Sequence, residues 1–273
     1  MRISTLVVAA LALAVAASAP AHAAAQPTHT ENARQGAVRA AYSFTPTLRG
    51  STYVRARIRI WNGARLIVNH PIALTSHYAG TRELSIHQLD GAGPPEVVLN
   101  QFSGGAHCCW TTWIYTGARR VVEGWGHNLP VLRDVDGDGV PEFHGFDTRW
   151  AYAFGSFASS GFPAKVWRYT GSGVGDVSRA FPAEIQADMA QQYSRYQAAL
   201  GAQGGQGAEG VRGALAAYAA DGYTLGQGDQ AMGVVQAADS AGQTGTAKSE
   251  TDPFWEPDYM GRLRALLHRL GYA

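Results

Sequence analysis

Residues 134–142 form the run Asp134-Val135-Asp136-Gly137-Asp138-Gly139-Val140-Pro141-Glu142, with carboxylates at positions one, three, five and nine and glycine at four and six. No other stretch restricts the folding of this chain as tightly. Acidic groups crowded this closely repel one another, so a folded loop is costly without a cation. Ca²⁺ takes about six to eight oxygens at about 2.3–2.6 Å, and alternate side chains of a tight turn can converge on one point. Asp134, Asp136, Asp138 and Glu142, with the carbonyl of Val140, are therefore expected to hold a structural calcium ion, and Gly139 permits the sharp turn. Asp-Gly-Asp-Gly also favours tight turns with or without metal. Three aspartates and a glutamate in phase are more than turn chemistry requires. The glutamate at position nine rather than twelve excludes an ordinary EF-hand.

A second, weaker copy lies upstream: Gln88-Leu89-Asp90-Gly91-Ala92-Gly93-Pro94-Pro95-Glu96. It keeps Asp90, both glycines and Glu96, but has Gln88 and Ala92 where the first loop has carboxylates. Two acidic ligands rarely hold calcium, so this degenerate loop is expected to be a metal-free turn. Asp134 to Glu142, followed by Phe143, resembles the calcium loop of FG-GAP (VCBS-type) repeats, the blades of integrin-alpha-like β-propellers. The segment Gly104-Gly105-Ala106-His107-Cys108-Cys109 resembles one found in uncharacterised exported bacterial proteins that carry such repeats. The resemblance covers about residues 50 to 180, is specific only at the loops, and implies calcium-bound β units.

The chain begins with a short basic start, Met1-Arg2, and an uninterrupted apolar run over residues 6–17; Ala21-His22-Ala23 places small residues at both positions needed for cleavage. Residues 1–23 are thus expected to be a secretory signal peptide, with an uncleaved N-terminal anchor disfavoured by the short apolar run, followed by an exported chain, secreted or periplasmic. No later apolar stretch is long enough to span a bilayer. The formal net charge of +1 falls to zero once Arg2 is removed, which argues against a nucleic-acid partner. The roughly 250 residues that remain suffice for one large core, or one core with an appendage.

Residues 24–50 are polar and weakly patterned and are expected to be a leader. Beyond them a repeat emerges. Trp61-Asn62-Gly63, Tyr115-Thr116-Gly117 and Tyr169-Thr170-Gly171 each place an aromatic residue before a turn pair, at intervals of 54 residues. The residues before each alternate or run apolar, as in Val54-Arg55-Ala56-Arg57-Ile58-Arg59-Ile60, the signal of a hairpin. Each unit is expected to run strand, turn, strand, strand, acidic loop, strand; in the second these fall at 110–115, 119–125, 130–133 and 142–146. Four strands per unit is the plan of a propeller blade. Two full units and a third hairpin are too few for a closed propeller, which needs roughly four or more. The expected fold of residues 51–180 is therefore mainly β, with propeller-blade-like antiparallel units, open or sandwich-like, and helices covering the exposed edge.

Trp150, Tyr152 and Phe154 alternate and would share one face of a strand, either as a ligand platform for sugar rings or as core filling. From residue 181 the pattern turns helical. Pro182 opens an amphipathic helix with Ile185, Met189, Tyr193, Tyr196 and Leu200 at helical spacing. Residues 201–210 and 239–251 have linker composition, with weaker helices at 211–220 and 231–238. A last helix follows Pro257, with Tyr259, Leu263, Leu266, Leu267 and Leu270 on one face and arginines on the other. It would dock on the β units or lie on a membrane surface.

Cys108 and Cys109 are the two cysteines, and they are neighbours. In an oxidising compartment they would form a vicinal disulfide, eased by Gly104-Gly105, or remain two separate thiols. The chain has no Gly-x-Ser-x-Gly elbow, no His-Glu-x-x-His pair and no phosphate-binding glycine loop, and His70, His77, His87, His127 and His144 are scattered. The expectation is an exported, calcium-stabilised β-repeat protein acting as a binding or cell-envelope interaction module, with a glycan or an envelope protein as partner. A calcium-dependent hydrolase or lyase acting on polysaccharide is the alternative.

Overall fold

The computed structural model describes residues 27–46, 52–72, 75–76, 84–201, 205–245 and 258–273. The signal peptide expected at 1–23 lies outside them, as does His77. The first strands are β1 (His29–Gln35), β2 (Val38–Pro46), β3 (Thr52–Asn62) and β4 (Arg65–Pro71), an antiparallel meander. The two-residue β5 (Thr75–Ser76) pairs with β3 and with β7. A second meander follows: β6 (Leu84–His87), β7 (Glu96–Phe102), β8 (Trp110–Thr116) and β9 (Arg119–Gly126). Through β5 these two meanders, the first and second sheets, join into one nine-stranded sheet, whereas β10 (Val131–Arg133), β11 (Glu142–Phe146), β12 (Ala164–Tyr169) and β13 (Val174–Asp176) make a separate third sheet. The fold is mainly β, in propeller-blade-like units that do not close into a barrel, with a helical C-terminal region.

The stretch expected to be a leader holds all of β1 and β2. Its polar composition suits a sheet edge: β1 pairs with β2 alone, and none of its residues is buried. The repeat also has a different phase from the one expected. Each acidic loop joins the first and second strands of one sheet, because His87 pairs with Glu96 and Arg133 with Glu142. The aromatic-glycine turns join the third and fourth strands. Gly63, Gly117 and Gly171 there take φ of +57°, +59° and +79°, the left-handed region that tight hairpins need.

The sheets pack on one another through alternating side chains. Tyr42, Ile58 and Ile60 of the first sheet meet Leu84, Val97, Leu99 and Tyr115 of the second. Val98, Ile114 and Trp125 on the second sheet's other face meet Phe143, Trp167 and Tyr169 of the third. His144 and Val166 point from the opposite face of the third sheet toward α1 (Pro182–Leu200). The helices thus cover a sheet face rather than an edge. Pro182 starts α1, as expected from its fixed φ and absent N–H.

The linker expected at 201–210 is helical from its fifth residue, the start of α2 (Gly205–Thr224). The reason is packing: a Cβ on Gly210 would lie 3.1 Å from Ala199 Cβ, and one on Gly213 only 2.0 Å from the carbonyl oxygen of Ser159. Glycine here permits close approach, which overrides its poor helix propensity. Likewise α3 (Gly228–Ser240) runs into the second expected linker, of which 246–251 lie outside the described residues. The final helix, α4 (Tyr259–Leu270), buries Leu263, Leu266 and Leu267 against α2 and α3 residues, so its apolar face belongs to the helical core. Among the described residues no helix is long and apolar enough to cross a membrane.

Candidate metal loop

In the loop between β10 and β11, one carboxylate oxygen from each of Asp134, Asp136 and Asp138 lies within 4.8 Å of the others. All three side chains are exposed. Backbone N–H groups organise them: Gly137 donates to Asp134 Oδ1 at 2.8 Å and Gly139 to Oδ2 at 3.0 Å. Asp136 and Asp138 each cap the residue two positions on, through the N–H groups of Asp138 and Val140. Gly137 and Gly139 take φ of +76° and +86°. Glu142 stands at the start of β11 and is fully buried.

Sequence reasoning missed the loop's other charged member. Arg168, on β12, donates from Nε to Glu142 Oε1 at 2.9 Å, and its Nη2 bonds the same oxygen. That Nη2 also lies 3.1 Å from Asp136 Oδ2 and 3.2 Å from Asp138 Oδ2. One guanidinium therefore faces three of the four predicted carboxylates. The hydrogen bond and charge of Glu142 hold the Arg168 guanidinium above its ordinary pKa. The only signal in the sequence was an arginine alternating with aromatics in Trp167-Arg168-Tyr169, too general to point at a loop 26 residues away.

Do these residues fit a hard cation? The side-chain donors are all carboxylate oxygens, the class that calcium prefers. One guanidinium leaves the four carboxylates net negative. Glu142 Oε2 is buried with no hydrogen-bond partner and lies 3.9 Å from His144 Nε2. Charge and donor chemistry both fit.

The degenerate loop is closed by hydrogen bonds of its own side chains and of Thr116. Glu96, fully buried, accepts from the Leu89 N–H at 2.9 Å and from Thr116 Oγ1 at 3.4 Å. Burial raises its pKa. Asp90 Oδ1 accepts from the Ala92 N–H, and Gln88 Nε2 donates to the carbonyl of Gly93. A Cβ on Gly91 would come 3.4 Å from Val140 Cγ2, so the two loops are neighbours.

Cys108 and Cys109 are bonded to each other, and their peptide is cis. Gly104 and Gly105 precede them at φ of +90° and +126°, and a Cβ on Gly105 would fall 2.7 Å from Cys108 Sγ. His107 stacks on Phe157 at 3.7 Å between centroids and shares a hydrogen bond with Tyr152 through Nδ1. Burial, followed by the nearby His107, lowers the pKa of His127, whose ring packs on Phe157 and Phe162.

Of the two readings of Trp150, Tyr152 and Phe154, core filling holds for Trp150 and Phe154, and the three do not share one face. Trp150 lies in a 3₁₀ turn over Thr148–Trp150, and residues 151–154 are not in a strand. Trp150 and Phe154 are 1% and 5% exposed in the helical core, whereas Tyr152 is 51% exposed. Period two fails because the backbone there is not extended.

A buried acidic pair was equally illegible. Asp188 of α1 and Asp221 of α2 are both buried, with Asp188 Oδ2 accepting from the Ala164 N–H at 3.0 Å. Burial, reinforced by Asp188, pushes Asp221 up to about 10, and burial raises Asp188 as well. The pair holds a proton at neutral pH.

Comparison with known proteins is sparse. No protein-family profile matches the chain, and no solved structure matches it. Over 103 residues it is 32% identical to a protein of Synechocystis sp. described as a probable thylakoid lumen protein. That match covers 35% of this chain and 30% of the relative, so the chain spans less than a third of the relative's length.

Proposed function

We propose that this chain is an exported β-repeat module of the FG-GAP/VCBS kind, stabilised by calcium, that acts by binding a partner outside the cytoplasm. The observation that carries the reading is the convergence of Asp134, Asp136 and Asp138 within 4.8 Å on a hairpin loop, with Glu142 behind them. Asp134, Asp136, Asp138, the Val140 carbonyl and Glu142 would hold the ion. Calcium would supply the positive charge that one arginine leaves wanting. The signal-like start and the name of the Synechocystis relative support an extracytoplasmic location.

The test is thermal melting in millimolar calcium and in excess chelator, since extracellular calcium modules bind at about 10⁻⁴–10⁻³ M. At tenfold excess over Kd the ion contributes about 1.4 kcal/mol, which moves Tm upward by about 3–6 °C. Asp136→Ala is expected to abolish that shift. A Tm indifferent to chelation removes calcium from the account. The alternative, a polysaccharide hydrolase or lyase, needs an aromatic platform; with Trp150 and Phe154 buried, no observation favours it.

A further inference from the structure

The outer face of the first sheet carries charge that no carboxylate among the described residues neutralises. Strand alternation sends Val38, Ala40, Tyr42, Ile58 and Ile60 into the core and Arg39, Arg57, Arg59 and Trp61 outward. Register then sets the outward residues in rows. Arg34 faces Arg39, which faces Trp61; in the next row Asn32 faces Ala41, then Arg59, then Asn69. Ser43 and Arg57 make a third. Successive rows are about 7 Å apart and neighbouring strands about 4.8 Å.

Like charges set directly opposite each other destabilise a sheet, as Arg34 and Arg39 are here. The only acid in β1–β4, Glu31, points to the other face and accepts from the Leu84 N–H. None of Arg34, Arg39, Arg57 and Arg59 pairs with a carboxylate among the described residues. Arginines elsewhere do: Arg133 with Glu184, Arg149 with Asp147, and Arg168 with the acidic loop.

Two of the outward guanidinium groups are already positioned. Arg39 lies over the Trp61 ring at 4.2 Å, which leaves its in-plane donors free. Arg57 is held by Asn69 Oδ1 at 2.7 Å. Such positioning lowers the entropy cost of binding.

We infer that this face docks a linear polysaccharide bearing carboxylate groups. Arginine forks match carboxylates bidentately, and Asn32, Ser43 and Asn69 between them offer partners to hydroxyl groups. A lipid surface would call for an apolar anchor beside the basic patch, and Leu66 is the single large exposed hydrophobe among the described residues of β1–β4. Single-stranded nucleic acid would need bare aromatic faces, and that of Trp61 is covered by Arg39. The surface belongs to a different sheet from the acidic loop and stands independently of calcium.

The experiment is affinity electrophoresis of the full chain, in chelator and in calcium, through gels holding polygalacturonate or neutral dextran. Parallel arms use sedimentation with vesicles of phosphatidylglycerol and phosphatidylcholine, and gel mobility shift with single-stranded DNA. Retardation by polygalacturonate alone, weakening as salt rises, is expected. The double variant Arg34→Gln/Arg59→Gln should lose about tenfold in affinity, with Tm unchanged or higher because a like-charge pair is relieved. Arg264→Gln, an exposed arginine on α4, should bind as the parent does. Equal retardation by dextran, stronger binding to vesicles or DNA, or undiminished binding by the double variant would each overturn the proposal. If the double variant fails to fold, Arg34→Gln alone, on the edge strand, is read in the same way.

Discussion

Arg168 and Glu142 illustrate how one residue can stand between two states of a loop. Glu142 is fully buried, so its carboxylate needs a cation nearby; Arg168, 34% exposed, supplies one from the adjacent strand. In the calcium-bound loop proposed above, the guanidinium and the ion would repel within a few ångströms, so each would weaken the other's hold on the acidic residues. Arg168→Gln should destabilise the protein in chelator by about 1–3 kcal/mol, the cost of a buried charged group left without its partner. In millimolar calcium that deficit should shrink, because the competing charge has gone. Urea unfolding in both buffers checks this; an identical deficit in each would show that Arg168 and the ion do not share a site.

At the scale of elements, the turns sort by what surrounds them. Gly117 sits in the β8–β9 hairpin at φ +59°, and a Cβ placed there would meet nothing within 4 Å, so only backbone conformation demands glycine. Gly105 has φ +126° and would drive a Cβ to 2.7 Å from Cys108 Sγ. Gly117→Ala should cost about 1 kcal/mol, whereas Gly105→Ala should cost about 1–3 kcal/mol more, since strain and a clash combine. Thermal melting of the two variants side by side makes the comparison, and equal losses would mean that the cysteine loop shifts freely. The same logic separates the two acidic loops. One ties its buried glutamate to neutral donors, the Leu89 N–H and the Thr116 hydroxyl, while the other recruits a strand arginine.

Across the whole molecule, three four-stranded units stack face to face and the helices cover the outer face of the third. The junction is acidic: Asp188 and Asp221 meet where α1 and α2 approach β12. Asp221 has a folded pKa raised far above its unfolded value. Its contribution to stability is full below the unfolded pKa, near 3.8, and is lost as pH rises toward about 10. Between pH 5 and pH 8 the folded chain holds a proton that the unfolded chain has released. Asp221→Asn removes this linkage, so the variant should gain on the parent by up to about 1.4 kcal/mol per pH unit over that range. Chemical denaturation at pH 5 and pH 8 reads the gap directly; a gap that does not widen would mean the pair is solvated or ionised.

Sequence by itself determined whatever depends on neighbours along the chain. Glycine in the left-handed region set the hairpins at Gly63, Gly117 and Gly171, period-two alternation set most strands, and Pro182 and the leucines after Tyr259 marked helix starts and faces. The acidic loop was legible for the same reason, since its backbone N–H groups and carboxylates lie within five residues of one another. Only the tertiary structure decided the pairings that need distant partners. The polar strand β1 forms because β2 offers an edge. The glycine-rich start of α2 is helical because Ala199 and Ser159 leave room for nothing larger. Trp150 and Phe154 are buried because four helices fold over them, and Arg168 reaches the loop because β12 lies beside β11. Local sterics act within a few residues and can be read there; burial and charge compensation depend on which segments the fold brings together.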